Sequence, residues 1–239
     1  MTRTIYLNRD GVSITRGWND SRRNVSAVAP GPVDVPAWGA SETLWHETTV
    51  CLRNMFARYD VVFVELDPSP APHVEAVFGG DPSQFGRPAT TNGLASLSTT
   101  CDVIENAIVF TFTDVLAPRG QVVCETMAQE IAHAYGLDHT LLAADPMSYM
   151  KFLGKRAFQD ELTVCGETTA RPCGFDPTPC RAMQNSHGLL LERLGPGTGE
   201  IIEIDPELEP EPAEGCAATG GSPLALILTA TLLLRKRLR

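Results

Sequence analysis

The stretch QEIAHAYGLDH, which begins at Gln129, restricts the fold of this chain more than any other segment. On a helix, residues four apart lie on one face, so Gln129 and His133 point the same way, with Glu130 beside them. Gly136 is a natural residue to end that helix, because glycine tolerates the left-handed backbone of a helix C-terminus. The chain then turns back, which allows His139 to approach His133. The segment therefore predicts a helix and a turn whose polar side chains converge on one point.

These side chains form a set with a defined chemical use. Histidine nitrogen is a strong ligand for zinc, whereas an amide oxygen is a weaker donor that suits harder cations better. Three protein ligands leave one position of a zinc ion open for water, and a neighbouring carboxylate can accept a proton from that water. The remaining histidines, His46, His73 and His187, stand outside any such pattern, and we expect ordinary structural roles for them.

The segment resembles the metzincin signature of zinc peptidases, H-E-x-x-H-x-x-G-x-x-H. The chain matches this signature at four positions, Glu130, His133, Gly136 and His139. It departs at Gln129, where the family has its first histidine ligand. The later DPMSYM resembles the family's Met-turn, with Met147 beneath the metal site and Tyr149 where astacin-like and serralysin-like members carry a tyrosine. The family's substrate-binding edge strand precedes the helix, and Thr91–Thr100 is the candidate for it.

The resemblance implies one catalytic zinc ion, weakly bound because Gln129 replaces an imidazole. It makes His133 and His139 ligands and Gln129 a substitute ligand. Glu130 becomes the general base and acid, and Tyr149 the group that stabilises the tetrahedral intermediate. Three interpretations stay open: an active peptidase with an altered metal site, a zinc-binding scaffold with little activity, and a metal-free module that binds peptides or surface partners.

Runs of β-branched and aromatic residues predict strands before this helix. They are Ile5–Leu7, Val61–Leu66, His73–Phe78 and Ala107–Thr113. Apolar residues at helical spacing predict helices over Ser41–Tyr59, Glu125–Gly136 and Asn185–Leu194. Strands with helices on one side indicate an α+β fold. The resemblance implies a metzincin-like form of it, a twisted mixed sheet of about five strands with an active-site helix and a C-terminal helix.

The composition of the chain changes after Gly195. Residues 1–195 are the predicted metallopeptidase domain, and 196–215 form an acidic stalk whose Pro and Glu residues cannot build a core. In 216–239, the apolar run Ala217–Leu234 is just long enough to cross a bilayer, which takes about 17–25 residues, and basic residues follow it. This end resembles the C-terminal sorting signal of myxobacterial surface proteins, a Gly-Cys motif before a transmembrane segment and an arginine cluster. That resemblance implies that Cys216 is a processing or lipidation point.

The seven cysteines favour an oxidising compartment. We favour three disulfides, Cys124–Cys165, Cys173–Cys180 and Cys51–Cys101. The first would close a loop around the proposed ligands, and the alternative is that Cys124 is a free buried thiol. The N-terminal MTRTIYLNRDGVSITRG lacks the apolar segment of a signal peptide. We therefore expect either that a leader was trimmed from this sequence or that its start is placed too late.

The net charge of −10 limits the classes of partner. An acidic surface repels phosphate backbones, so nucleic acid is a poor partner. The sequence as a whole predicts an exported monomer at the cell surface or outer membrane, anchored through its C-terminal segment. Its expected function is that of a zinc-dependent metalloendopeptidase, a hydrolase acting on peptide bonds of extracellular proteins. The alternative is a catalytically weak or inactive metzincin-like pseudoenzyme that binds peptides or surfaces.

Overall fold

The structure, a computed structural model, describes residues 2–203. Cys216 and the predicted membrane segment lie outside this range. Within it, no helix is both long and apolar enough to cross a membrane. The helices are α1 (Glu42–Phe56), α2 (Gly120–Ala134) and α3 (Ser186–Leu194). The strands are β1 (Arg3–Asn8), β2 (Val12–Arg16), β3 (Val25–Ser26), β4 (Val33–Val35), β5 (Val61–Val64), β6 (Val74–Phe78), β7 (Gly93–Leu94), β8 (Ile108–Thr111), β9 (Thr163–Val164), β10 (Cys173–Phe175), β11 (Thr178–Arg181) and β12 (Met183–Gln184).

The main sheet has five strands in the order β5-β1-β6-β8-β7. The first four run parallel to one another, and β7 pairs antiparallel to β8 at the edge. The central strand β6 is buried along its whole length, as expected for a strand covered on both faces. The predicted α+β fold with a mixed five-stranded sheet is therefore confirmed.

All three helices contribute to one core on a single face of the sheet. This core joins sheet residues such as Leu7 and Ala76 to Leu52 of α1, Ile131 of α2 and Leu190 of α3. The opposite face is covered by the small sheet β3-β2-β4, whose apolar side chains pack on the main sheet in a second cluster. Helix α2 is thus held between the sheet and α1, which fixes its orientation.

The helix boundaries follow the expected capping residues. The Ser41 side chain accepts a hydrogen bond from Leu44 N at 3.2 Å, and Asn185 caps α3 by accepting one from Gly188 N at 2.7 Å. The start of α2 differs from the prediction: the helix begins at Gly120 rather than near Glu125. A side chain at Gly120 would collide with Glu47 of α1, so glycine allows the two helices to approach closely there. The edge strand predicted within Thr91–Thr100 is also shorter than expected, because only Gly93–Leu94 (β7) is a strand.

The predicted disulfide pairing is wrong, although all six cysteines of the described range are paired. The bonds are Cys51–Cys124, Cys101–Cys180 and Cys165–Cys173. The error follows from the helix boundary. Because α2 begins before Cys124, this cysteine lies inside the helix and faces Cys51 on α1, with the two Cα atoms 6.0 Å apart. The Cys51–Cys124 disulfide therefore joins two packed helices and does not close a loop around the candidate ligands.

Candidate functional site

The end of α2 brings two histidines together. Gly136 has a φ of +74°, and a Cβ there would lie 2.2 Å from the Cys101 carbonyl oxygen, so glycine is required both for backbone conformation and for space. Its N–H donates to the His133 carbonyl oxygen at 2.8 Å, which ends the helix. The following residues then return, so that the rings of His133 and His139 meet edge to face with centroids 4.7 Å apart.

The two rings point the same type of atom at each other. The Nε2 atoms of His133 and His139 lie 3.1 Å apart. On the far side of each ring, the Nδ1–H of His133 donates to the Leu137 carbonyl oxygen at 2.7 Å, and that of His139 donates to Glu167 Oε1 at 3.1 Å. With the protons on Nδ1, both Nε2 atoms present lone pairs. Facing lone pairs repel unless a cation lies between them.

This geometry fits a metal ion. Two nitrogens bound to one tetrahedral zinc at about 2.0–2.1 Å are about 3.3 Å apart, close to the separation found here. Burial, together with the neighbouring His139, lowers the pKa of His133 to about 3. His133 is therefore neutral at physiological pH, as a nitrogen ligand must be.

Gln129 lies on the same face of α2 as His133, one turn earlier, and is buried. Its Nε2 donates to the Pro146 carbonyl oxygen at 2.9 Å. This hydrogen bond ties the helix to the Met-turn and leaves the amide oxygen Oε1 as the only atom of the group able to coordinate a cation.

Glu130 is buried against the edge strand. Burial raises the pKa of its carboxyl group to about 8. Its nearest neighbour is Gly93 of β7, where an added Cβ would lie 2.4 Å from Glu130 Oε1. The absence of a side chain at Gly93 therefore makes room for the carboxyl group, which can hold or release a proton near neutral pH.

The segment predicted to form a Met-turn lies next to His139. Met147 is fully buried, and its carbonyl oxygen accepts a hydrogen bond from Thr140 N at 3.0 Å, next to His139. Asp145 fixes the turn by accepting from Met147 N at 2.9 Å. Tyr149 leaves the turn and places its ring 4.4 Å from that of His139. Partial burial and nearby carboxylates raise the pKa of Tyr149 to about 12, so its hydroxyl group stays a hydrogen-bond donor.

A second group of ionisable side chains lies behind His139. The ligand atoms of Asp138, His139 and Glu167 are all within 4.8 Å of one another, so these residues could hold a metal. Arg171 already lies between the two carboxylates: its Nη2 donates to Asp138 Oδ1 at 2.9 Å and to Glu167 Oε1 at 2.7 Å. Hydrogen bonding to Arg171 holds the pKa of Glu167 at about 2. The guanidinium group thus offsets one of the two negative charges of this cluster and occupies the space between the carboxylates.

A cleft of about 590 Å³ runs alongside the site. The loop before β7 forms one wall, and the Met-turn and the loop after it form the other. Half-buried and buried side chains of α2 form its floor. The lining residues that bear on function are Gly93, Gln129, Glu130, Tyr149, Phe152 and Arg156. Gly93 of β7 and Glu130 both line this cleft, so a molecule bound in it would lie beside the carboxyl group.

Sequence reasoning located Gln129 and the two histidines on the helix and turn that carry them, but it missed Gly93, Asp138, Glu167 and Arg171 as parts of the site. The signal that could have drawn attention to Glu167 is the short spacing of Cys165 and Cys173, which marks a stapled loop. The other histidines lie elsewhere: His187 Nδ1 is 2.9 Å from the Tyr59 hydroxyl, and His73 donates to the Ala71 carbonyl oxygen at 2.8 Å.

No protein-family model matches this chain, and a search of curated proteins also finds no match. Any function assigned to this chain therefore depends on the arrangement of its side chains.

Proposed function

We propose that residues 1–195 form a zinc-dependent endopeptidase of metzincin type, with one metal ion held by His133 and His139. The observation that carries this proposal is the pair of Nε2 atoms 3.1 Å apart, each with its ring proton engaged on the opposite side. This is how histidine ligands are oriented in zinc sites, where the second nitrogen donates to a carbonyl or carboxylate.

The surroundings of the two histidines support the metzincin resemblance. Gly136 follows helix α2, a buried methionine, Met147, lies in the turn next to His139, and a short antiparallel strand, β7, borders the cleft. An edge strand has unpaired backbone groups that can bind an extended peptide by adding a strand. The substrate class that fits is therefore a peptide segment of an extracellular protein.

The chain's own groups have distinct roles in this proposal. The chemistry that zinc supplies when bound is activation of water and polarisation of a carbonyl group. Glu130 takes the proton of the attacking water and passes it to the leaving amine. Burial alone raises the pKa of this carboxyl group to about 8, so the positive charge of a bound metal would be needed to favour the carboxylate form that acts as the base. Tyr149 donates a hydrogen bond to the oxygen that gains charge. The Oε1 atom of Gln129 completes the ligand set as a weaker donor.

Three disulfides within residues 2–203 indicate an extracellular protein. We further propose that segment 216–239 anchors the domain at the cell surface, with Cys216 as the point of processing or lipidation. Proteolysis at the surface is compatible with the net negative charge of the chain, which disfavours nucleic acid as a partner.

The first experiment is metal analysis of the full chain purified without chelator, combined with a proteolysis assay. We expect zinc near one equivalent, cleavage that stops on adding a chelator, and loss of cleavage with retained zinc in Glu130→Gln. Less than about a tenth of an equivalent of zinc at neutral pH would remove the enzymatic proposal, given that a site of useful affinity stays loaded.

A second candidate function is a peptide-binding module without catalysis. It is favoured by the hydrogen bond from Gln129 to Pro146, which gives the amide a structural role that needs no metal. The discriminating variant is Gln129→His. If this change creates proteolysis that the natural chain lacks, the natural domain is a pseudoenzyme. If both proteins cleave and Glu130→Gln silences both, the binding-module function is wrong.

A further inference from the structure

The loop Cys165–Cys173, here called the cysteine loop, runs directly behind His139. A disulfide joins its two ends, which are only 8 residues apart. Gly166 N donates to the His139 carbonyl oxygen at 3.0 Å, and Cys165 forms a β-bridge with Thr140. The backbone that carries His139 is therefore bonded to a short, covalently closed loop rather than to a free one.

Glu167 is the residue of the cysteine loop that reaches the imidazole. Its Oε1 accepts hydrogen bonds from His139 Nδ1 at 3.1 Å and from Arg171 Nη2 at 2.7 Å. Arg171 is anchored in turn by Asp138, the residue before His139. Hydrogen bonds thus link Asp138 to Arg171, Arg171 to Glu167, and Glu167 to the His139 ring. Moving the Glu167 carboxylate would break its bonds to both Arg171 and His139.

We propose that Glu167 is a positioning residue for the metal centre, an inference that rests on the proposed function. By accepting the Nδ1 proton, it keeps the lone pair of His139 on Nε2 and aims the ring at His133. With only two imidazoles and an amide oxygen to hold the ion, the orientation of each imidazole contributes more to affinity than in a site with three histidines. Glu167 does not bind the ion itself, because it lies on the Nδ1 side of the ring and shares its oxygen with Arg171.

The test measures zinc affinity of the full chain by competition with a chromophoric chelator, together with the absorption spectrum of the Co²⁺-substituted protein. Glu167→Ala should weaken zinc binding by about 10–100-fold, the usual effect of removing such a partner of a ligand. Glu167→Gln keeps an acceptor oxygen and should retain most of the affinity. Glu161→Ala removes an exposed carboxylate of the same region and should change neither the affinity nor the spectrum.

Two outcomes overturn the inference while leaving the proposed function intact. One is a Glu167→Ala protein with the affinity and Co²⁺ spectrum of the wild type. The other is a loss of affinity matched by a large fall in the unfolding temperature of the metal-free protein, which would mean a structural role only. If Glu167→Ala does not fold, nitrogen NMR shifts of the metal-free wild type decide: a proton on Nδ1 of His139 supports the inference, and a proton on Nε2 refutes it.

A wild-type chain that binds no zinc contradicts the proposed function instead. In that case the nitrogen shifts of metal-free wild type and Glu167→Gln still test the positioning. A His139 proton that resides on Nε2 in the wild type would show that Glu167 does not select the tautomer.

Discussion

Replacing Gly93 by alanine should displace the carboxylate of Glu130, the proposed general base, without disturbing the proposed metal ligands. The added Cβ would lie 2.4 Å from Oε1 of Glu130 and 2.7 Å from its Cδ and Cγ, whereas ordinary van der Waals contact begins at 3.4 Å. All three of these atoms belong to the Glu130 side chain, so we expect that side chain to move away from the new methyl group. Relieving the contact moves its carboxylate by about 1 Å, a displacement that can cost about 100-fold in rate.

We therefore expect kcat of Gly93→Ala to fall by about 100-fold while zinc content stays at the wild-type level. The stability cost should be that of modest overpacking, about 1–3 kcal/mol. The matched control is Gly31→Ala, because a Cβ at Gly31 meets no atom within 4 Å. Peptidase assays, zinc analysis and thermal unfolding on both variants test the reasoning. A Gly93→Ala protein as active as Gly31→Ala would refute the placement of Glu130 against β7 as the catalytic arrangement.

The remaining predictions concern stability and the second catalytic group. Burial raises the pKa of Glu75 from 4.5 to about 7, so its contribution to stability is full below about pH 4.5 and is lost as the pH rises through 7. Glu75→Gln should thus stabilise the protein at pH 8, by at most about 3 kcal/mol, and flatten the pH dependence in denaturant titrations. Removing the Cys51–Cys124 bond, which spans 73 residues, should cost about 4 kcal/mol in the same assay. Tyr149→Phe should lower kcat by about 100-fold with zinc retained, and an unchanged kcat would exclude Tyr149 as an oxyanion donor.

Local rules made the helix and its turn predictable. The capping residues Ser41 and Asn185, the glycine at 136 and the strand-forming runs depend on neighbours in sequence, and the structure places each where such rules put it. The error in the start of α2 has the same origin. Glycine is a poor helix former, so the local sequence does not predict a helix at Gly120. Its lack of a side chain matters only because α1 packs closely against it.

Long-range contacts were beyond sequence reasoning. The disulfide pairing depended on which cysteines face each other in the folded chain, and Cys124 faces Cys51 because α2 begins before Cys124 and packs against α1. Glu167 lies 28 residues after His139, and only the fold of the cysteine loop brings the carboxylate to the ring. The need for glycine at position 93 could not be predicted from the sequence either, because it arises from the close approach of Glu130 in the folded chain.

X-ray absorption spectroscopy at the zinc edge, on the full chain loaded with zinc, tests the proposed metal centre most directly. The account predicts two imidazole nitrogens at about 2.0–2.1 Å from the metal, with oxygen completing the first shell and no sulfur. Replacing His133 with alanine should remove one imidazole from the spectrum or abolish zinc uptake. A first shell with one imidazole and carboxylate oxygens in the wild type would place the ion at Asp138, His139 and Glu167 instead, and would contradict the metal centre proposed between His133 and His139.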